Sequence, residues 1–115
     1  MRGMDKYCLE NMVKGWFVGD FKPSAYRTKA VEAALKTYKA GDHEEAHYHK
    51  IAVEITAIVS GVAEMNGKRR KAGEIIVIEP GETTDFRAIT DVVNMVVKIP
   101  AARGDKYHIK EGETR

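Results

Sequence analysis

Two histidines separated by a single tyrosine, His47-Tyr48-His49, are followed five positions later by Glu54. On a strand, side chains two apart face the same way, so both imidazoles can reach one ion while Tyr48 points elsewhere. Residues 50–53 leave enough chain to bend and bring the Glu54 carboxylate back toward the same point. Two nitrogen donors and one carboxylate suit a divalent transition metal by donor type: Fe, Mn, Zn, Ni or Cu. The remaining histidines are expected at the surface, His43 in an acidic stretch with Asp42, Glu44 and Glu45, and His108 in the polar segment 104–115.

The elements that must position these groups read as strands. Gly41, Gly61, Gly67, Gly73 and Gly81 punctuate short apolar runs, the rhythm of an all-β domain with tight turns. Residues 51–60, 74–78 and 92–99 are rich in Val and Ile, and Asn66-Gly67 supplies a two-residue hairpin turn between 62–65 and 68–71. Residues 28–40 contain good helix formers, yet they alternate, with Val31, Ala33, Leu35 and Thr37 opposite Glu32, Lys36 and Tyr38, and are read as a strand. Within 51–60, Glu54, Thr56 and Ile58 share one face and Ile55, Ala57 and Val59 the other. A strand apolar on both faces is covered on both, and in a chain this short a second subunit, making a homodimer, is the expected cover.

Composition narrows the classes. A chain of 115 residues with 43% hydrophobic content supports one core, hence a single domain over 1–115 with its barrel at about 12–100 and a polar tail at 101–115. The 19 basic and 17 acidic side chains give a net charge of +2, which is no basic stripe, so nucleic acid is not an expected partner. Lys68, Arg69, Arg70 and Lys71 are read as a solvated hairpin because no aromatic residue is interleaved. Cys8 is the only cysteine, so no intrachain disulfide forms and a reducing compartment is compatible. With no apolar run approaching ~18 residues, a cytoplasmic protein without a membrane partner is expected.

Gly41, five residues, His47, one residue, His49, four residues, Glu54, six residues and Gly61 together resemble the first motif of the cupins at every fixed position. The second motif is similar but incomplete. Gly73, Pro80 and Gly81 stand where glycine, a turn and glycine are expected, with the proline displaced by one position. Thr84 replaces the usual third histidine ligand and Ala88 the closing asparagine. The resemblance spans residues 41–88, with 31–38 and 92–99 as further paired strands, and leaves the first 11 residues and those after 100 unassigned.

It implies a double-stranded β-helix, a jelly-roll barrel with His47, His49 and Glu54 in its mouth. That ligand set has the composition of the two-His-one-carboxylate triad, which keeps positions open for substrate. Strand alternation puts Thr84 inward and Asp85 outward. Tyr38, Thr56, Ile58, Thr84 and Phe86 are the expected ligand-binding residues, with Tyr26 and Arg87 as further candidates. The implied cofactor is a divalent transition metal and the implied partner a small polar molecule such as a sugar or organic acid, with a metal-dependent dioxygenase or isomerase as the enzyme class. Two alternatives stand beside it: a metal-free, non-enzymatic cupin that binds a carbohydrate or similar small molecule, and a sugar-nucleotide isomerase or epimerase in which His49 and Tyr48 or Tyr38 move protons.

Overall fold

Period-two alternation of apolar and polar residues recurs along most of the chain, and it builds two sheets that bury one face of each against the other. The computed structural model describes residues 3–109. After a short 3-10 helix, Leu9–Asn11, the described residues form β1 (Trp16–Val18), β2 (Glu32–Tyr38), β3 (His43–Tyr48), β4 (Val53–Ser60), β5 (Val62–Met65), β6 (Lys68–Lys71), β7 (Ile75–Ile78), β8 (Thr84–Ala88), β9 (Val92–Ile99) and β10 (Tyr107–His108). One antiparallel sheet has the order β1-β2-β9-β4-β7 and the other β10-β3-β8-β5-β6. This is the all-β jelly roll expected from the turn pattern and motif. Among the described residues no helix is long and apolar enough to cross a membrane.

The Ala-rich segment that could have been a helix is β2, paired along its whole length with β9. Tertiary pairing overrides its helix propensity, because its inward residues are needed as one wall of the barrel. The hairpin β5–β6 turns at Asn66 (φ 51°) and Gly67 (φ 77°), the left-handed pair that a two-residue turn requires. The basic residues of β6 are mostly exposed, as a solvated hairpin should be. At the closed end, Ile58, Ala63, Met65, Ile78, Phe86, Ala88 and Val92 form the core, with Tyr38 packed on Phe86 at 4.5 Å between ring centroids.

The outer face of the first sheet stays apolar. Ile55 pairs with Val77 and Val97, and Ala57 with Ile75 and Met95, so two rows of aliphatic side chains cross three strands. Ile75, Val77 and Val59 are 67%, 53% and 55% exposed.

Of the segments left unassigned by the sequence, the first 11 residues contribute the 3-10 helix Leu9–Asn11, ahead of β1, which lies within the expected barrel as the edge strand beside β2. Residues beyond 100 are more than a polar tail: β10 pairs with β3, setting His108 opposite His47, and Asp105 is buried. Residues 110–115 of that tail lie outside the described residues.

Candidate metal centre

His47 lies near the end of β3, His49 just past it, and Glu54 at the start of β4. All three are buried, and one ligand atom from each lies within 4.8 Å of the others. Bonds of about 2.0–2.2 Å to one ion place donors roughly 3–4 Å apart, so small side-chain rotations close the set on a metal. The two imidazoles meet edge to face with centroids 5.4 Å apart.

The loop between His49 and Glu54 is tied from an unforeseen direction. The Asp105 carboxylate accepts backbone N–H bonds from Lys50 (2.9 Å), Ile51 (3.0 Å) and Ala52 (2.9 Å). Three consecutive amides bound to one buried anion leave that loop little freedom, which sets the distance between histidine and glutamate ligands.

The ring nitrogens fit a metal. His47 Nδ1–H donates to the Glu45 carbonyl at 2.9 Å, which turns its Nε2 lone pair toward the site, the usual second contact of a ligating imidazole. His49 Nε2 is buried and, among the described residues, has no hydrogen-bond partner. An unpaired buried ring nitrogen is costly unless something binds it, and an ion between His47 and Glu54 would do so. Burial holds the His47 imidazole below its usual pKa, and burial with the nearby Lys98 and His47 brings His49 down to about 4. Both rings are therefore neutral near pH 7, the ligating form. Glu54 also accepts from the Thr56 hydroxyl at 3.4 Å.

A cavity of about 1030 Å³ opens over His47 and Glu54, while His49 does not line it. Tyr38, Thr56, Thr84 and Phe86 line it with His47 and Glu54. Thr84 is buried and pairs with His47 across β3 and β8, whereas Asp85 is half-buried, also borders the cavity, and accepts the Asn66 N–H at 2.7 Å. Ile58 points inward but is taken up by the core, 2% exposed, and does not line the cavity. Tyr26 is 71% exposed and Arg87 is exposed, and neither reaches it. His43 is exposed. The segment from Leu9 to Trp16 forms the cavity's outer wall.

Glu44 was expected in an exposed acidic loop, yet it faces the cavity. Between Glu44↔Phe86 and His47↔Thr84, β3 advances three residues while β8 advances two. That bulge puts Glu44 and His47 on one face despite their odd spacing. There Glu44 accepts the Tyr38 hydroxyl and pairs with Lys36 at 3.3 Å and Lys106 at 3.6 Å. Burial pushes its carboxyl up, but Lys36, Tyr38 and Lys106 outweigh it and hold the pKa at about 2. Burial and the Glu44 anion push the Tyr38 hydroxyl well above its usual range.

No family model and no curated protein matches this chain. Solved structures do. An uncharacterised conserved protein with a double-stranded β-helix domain from Klebsiella pneumoniae superposes with a TM-score of 0.66 at 22% identity, over 72% of this chain and 74% of that one. A cupin-2 domain containing protein from Shewanella frigidimarina gives 0.54 at 17% identity, over 63% and 72%. The DMSP lyase DddQ from Ruegeria pomeroyi gives 0.69 at 19% identity, over 85% of this chain and 52% of that one, so this chain spans about half of that enzyme's length. Sheet order, strand pairing and these superpositions agree that the chain has the cupin fold, a double-stranded β-helix.

Proposed function

We propose that the protein holds a divalent transition metal through His47, His49 and Glu54 and acts on a small polar molecule seated in the cavity above them. The observation that carries this reading is the convergence of three buried donors, one of them on His49, a ring whose Nε2 has no hydrogen-bond partner among the described residues. A metal bound there supplies Lewis-acid polarisation of an oxygen on the ligand and keeps coordination positions open for it. The chain contributes the rest: neutral imidazoles, a loop locked by Asp105, and the Tyr38–Glu44 pair beside the ligand space.

Elemental analysis of protein purified without an affinity tag or chelator tests this directly. The expected result is about one transition-metal ion per chain, and a rise in unfolding free energy of about 2.7 kcal/mol when that metal is added back to chelated protein at a hundredfold its dissociation constant. No metal, together with no stabilisation by Fe, Mn, Zn, Ni or Cu, overturns the metal reading and leaves the non-enzymatic binding alternative.

The uncovered aliphatic rows on β4, β7 and β9 support a further part of the proposal, a homodimer formed through that face. Contiguous apolar surface of this kind on a sheet is normally covered. Light scattering at micromolar concentration should give twice the chain mass. Ala57→Glu, which places a charge at the centre of the face, should yield monomers or aggregate, because an unpaired buried charge costs several kcal/mol. A monomeric mass for the unaltered protein rules the dimer out.

A further inference from the structure

One ammonium in the cavity has carboxylates on the neighbouring strands but no direct ion pair among the described residues. On the inner face of the first sheet, Lys98 sits in a cross-strand row between Glu32 on β2 and Glu54 on β4. Among the described residues its ammonium makes no hydrogen bond and no ion pair; it lies over the Trp16 ring, 5.0 Å from the centroid. Lys36 approaches the same ring at 5.6 Å while paired with Glu44. Glu44 is shared by two lysines, Lys36 and Lys106, so that cluster keeps one positive charge in excess. Glu32 and Glu54 on either side of Lys98 offset that excess, so Lys36, Lys98 and Lys106 stand against Glu32, Glu44 and Glu54; committing Glu54 to a metal leaves the lysines in excess.

A second group awaits a partner. Asn94 lines the cavity, is 2% exposed, and among the described residues finds no donor for its Oδ1. It lies beside Lys36 in the β2–β9 register. A buried polar atom left unpaired costs of the order of 1–3 kcal/mol, which a ligand carrying a donor would recover. An unpaired ammonium near an aromatic face and an unpaired acceptor in one cavity are complementary to a molecule with an anionic end and a hydroxyl.

We propose that the cavity takes a small hydroxy-carboxylate, its carboxylate held by Lys98 with Lys36 beside it and its hydroxyl donating to Asn94. This deepens the reading of the cavity as a ligand site; it uses the metal only to say what lies at the floor, and it selects organic acids over neutral sugars.

Lactate and its neutral counterpart lactamide are the probes, since they differ only in the group that Lys98 would recognise. Binding is measured by calorimetry or NMR titration on chelator-treated protein, so that a metal contributes nothing to the discrimination. Lactate should bind at least tenfold more tightly than lactamide. Lys98→Met should remove that preference, Lys36→Met should reduce it, and Asn94→Leu should weaken both probes together. Lactamide binding to the unaltered protein as tightly as lactate overturns the proposal whatever the variants do, and so does a lactate preference that survives Lys98→Met. Metal content measured in parallel separates the two readings: a Lys98-dependent preference in a protein that takes up no metal sustains the carboxylate site while the metal reading falls, and a metal-loaded protein without the preference does the reverse.

Discussion

Asp105→Ala is expected to cost about 3 kcal/mol or more of stability, because a buried carboxylate with charge-assisted bonds of roughly 1.5–3 kcal/mol each is removed and its donors are left without an acceptor. The donors are the amides of Lys50, Ile51 and Ala52, the loop that joins the histidine ligands to Glu54. Metal affinity should therefore fall as well, by about 10- to 100-fold, the usual effect of losing an outer contact that orients ligands. Asp105→Asn keeps one acceptor oxygen and should fall between the two.

The pH dependence follows from the same contacts. Burial pushes the Asp105 carboxyl up, but the Ala52, Lys50 and Ile51 amides outweigh it and its pKa lies below the usual carboxylate value. In the unfolded chain Asp105 binds its proton at higher pH, so its contribution is complete above the unfolded value near 3.9 and is lost as pH falls through the folded one. Urea unfolding of the original protein and Asp105→Ala should thus differ most at neutral pH and converge in strong acid. A neutral-pH difference below about 0.5 kcal/mol, the range of ordinary surface substitutions, would show that the three hydrogen bonds do not hold the loop.

Asp105 also marks where the sequence stops being informative. Its partners are more than fifty residues away, and its neighbours Arg103, Gly104 and Lys106 read as surface, so only the pairing of β10 with β3 reveals the carboxylate's role. By contrast His47, His49 and Glu54 were legible because a strand repeats every two residues and the motif spacing is local. Strand β9 was legible because it is rich in Val and Ile, and β2 only with the motif as a guide, since its composition favours a helix. Glu44 was hidden by a bulge: one extra residue in β3 reverses the parity on which any reading of faces depends. Lys98 belongs to the same class, because nothing local says that an inward lysine will stand between Glu32 and Glu54 and over Trp16. Periodicity finds which residues share a face of one strand; it does not find what another strand brings to that face.

Thr84→His tests how the incomplete second motif has been used. Thr84 is 4% exposed, lies across from His47, and borders the cavity, so an imidazole at that position points toward the ligand set. Added to two histidines and a carboxylate, it supplies a neutral nitrogen donor without further charge and should tighten metal binding by about 10- to 100-fold, the scale on which ligand-shell changes act. The same substitution should lower the affinity for lactate in the metal-loaded protein, because it fills a coordination position and part of the space that a ligand occupies. A small polar residue at a buried position fits that role better than a structural filler would, since a dry barrel floor favours valine or leucine over a hydroxyl that must find a partner. Among the described residues the Thr84 hydroxyl donates to the Asp85 carbonyl, at 3.2 Å. Competition with a chelator measures the metal term and titration of loaded protein the ligand term. Tighter metal with unchanged ligand affinity identifies a site that merely lost a donor. Unchanged metal affinity shows that position 84 does not face the ion, and the alignment of Thr84 with the missing histidine is then wrong.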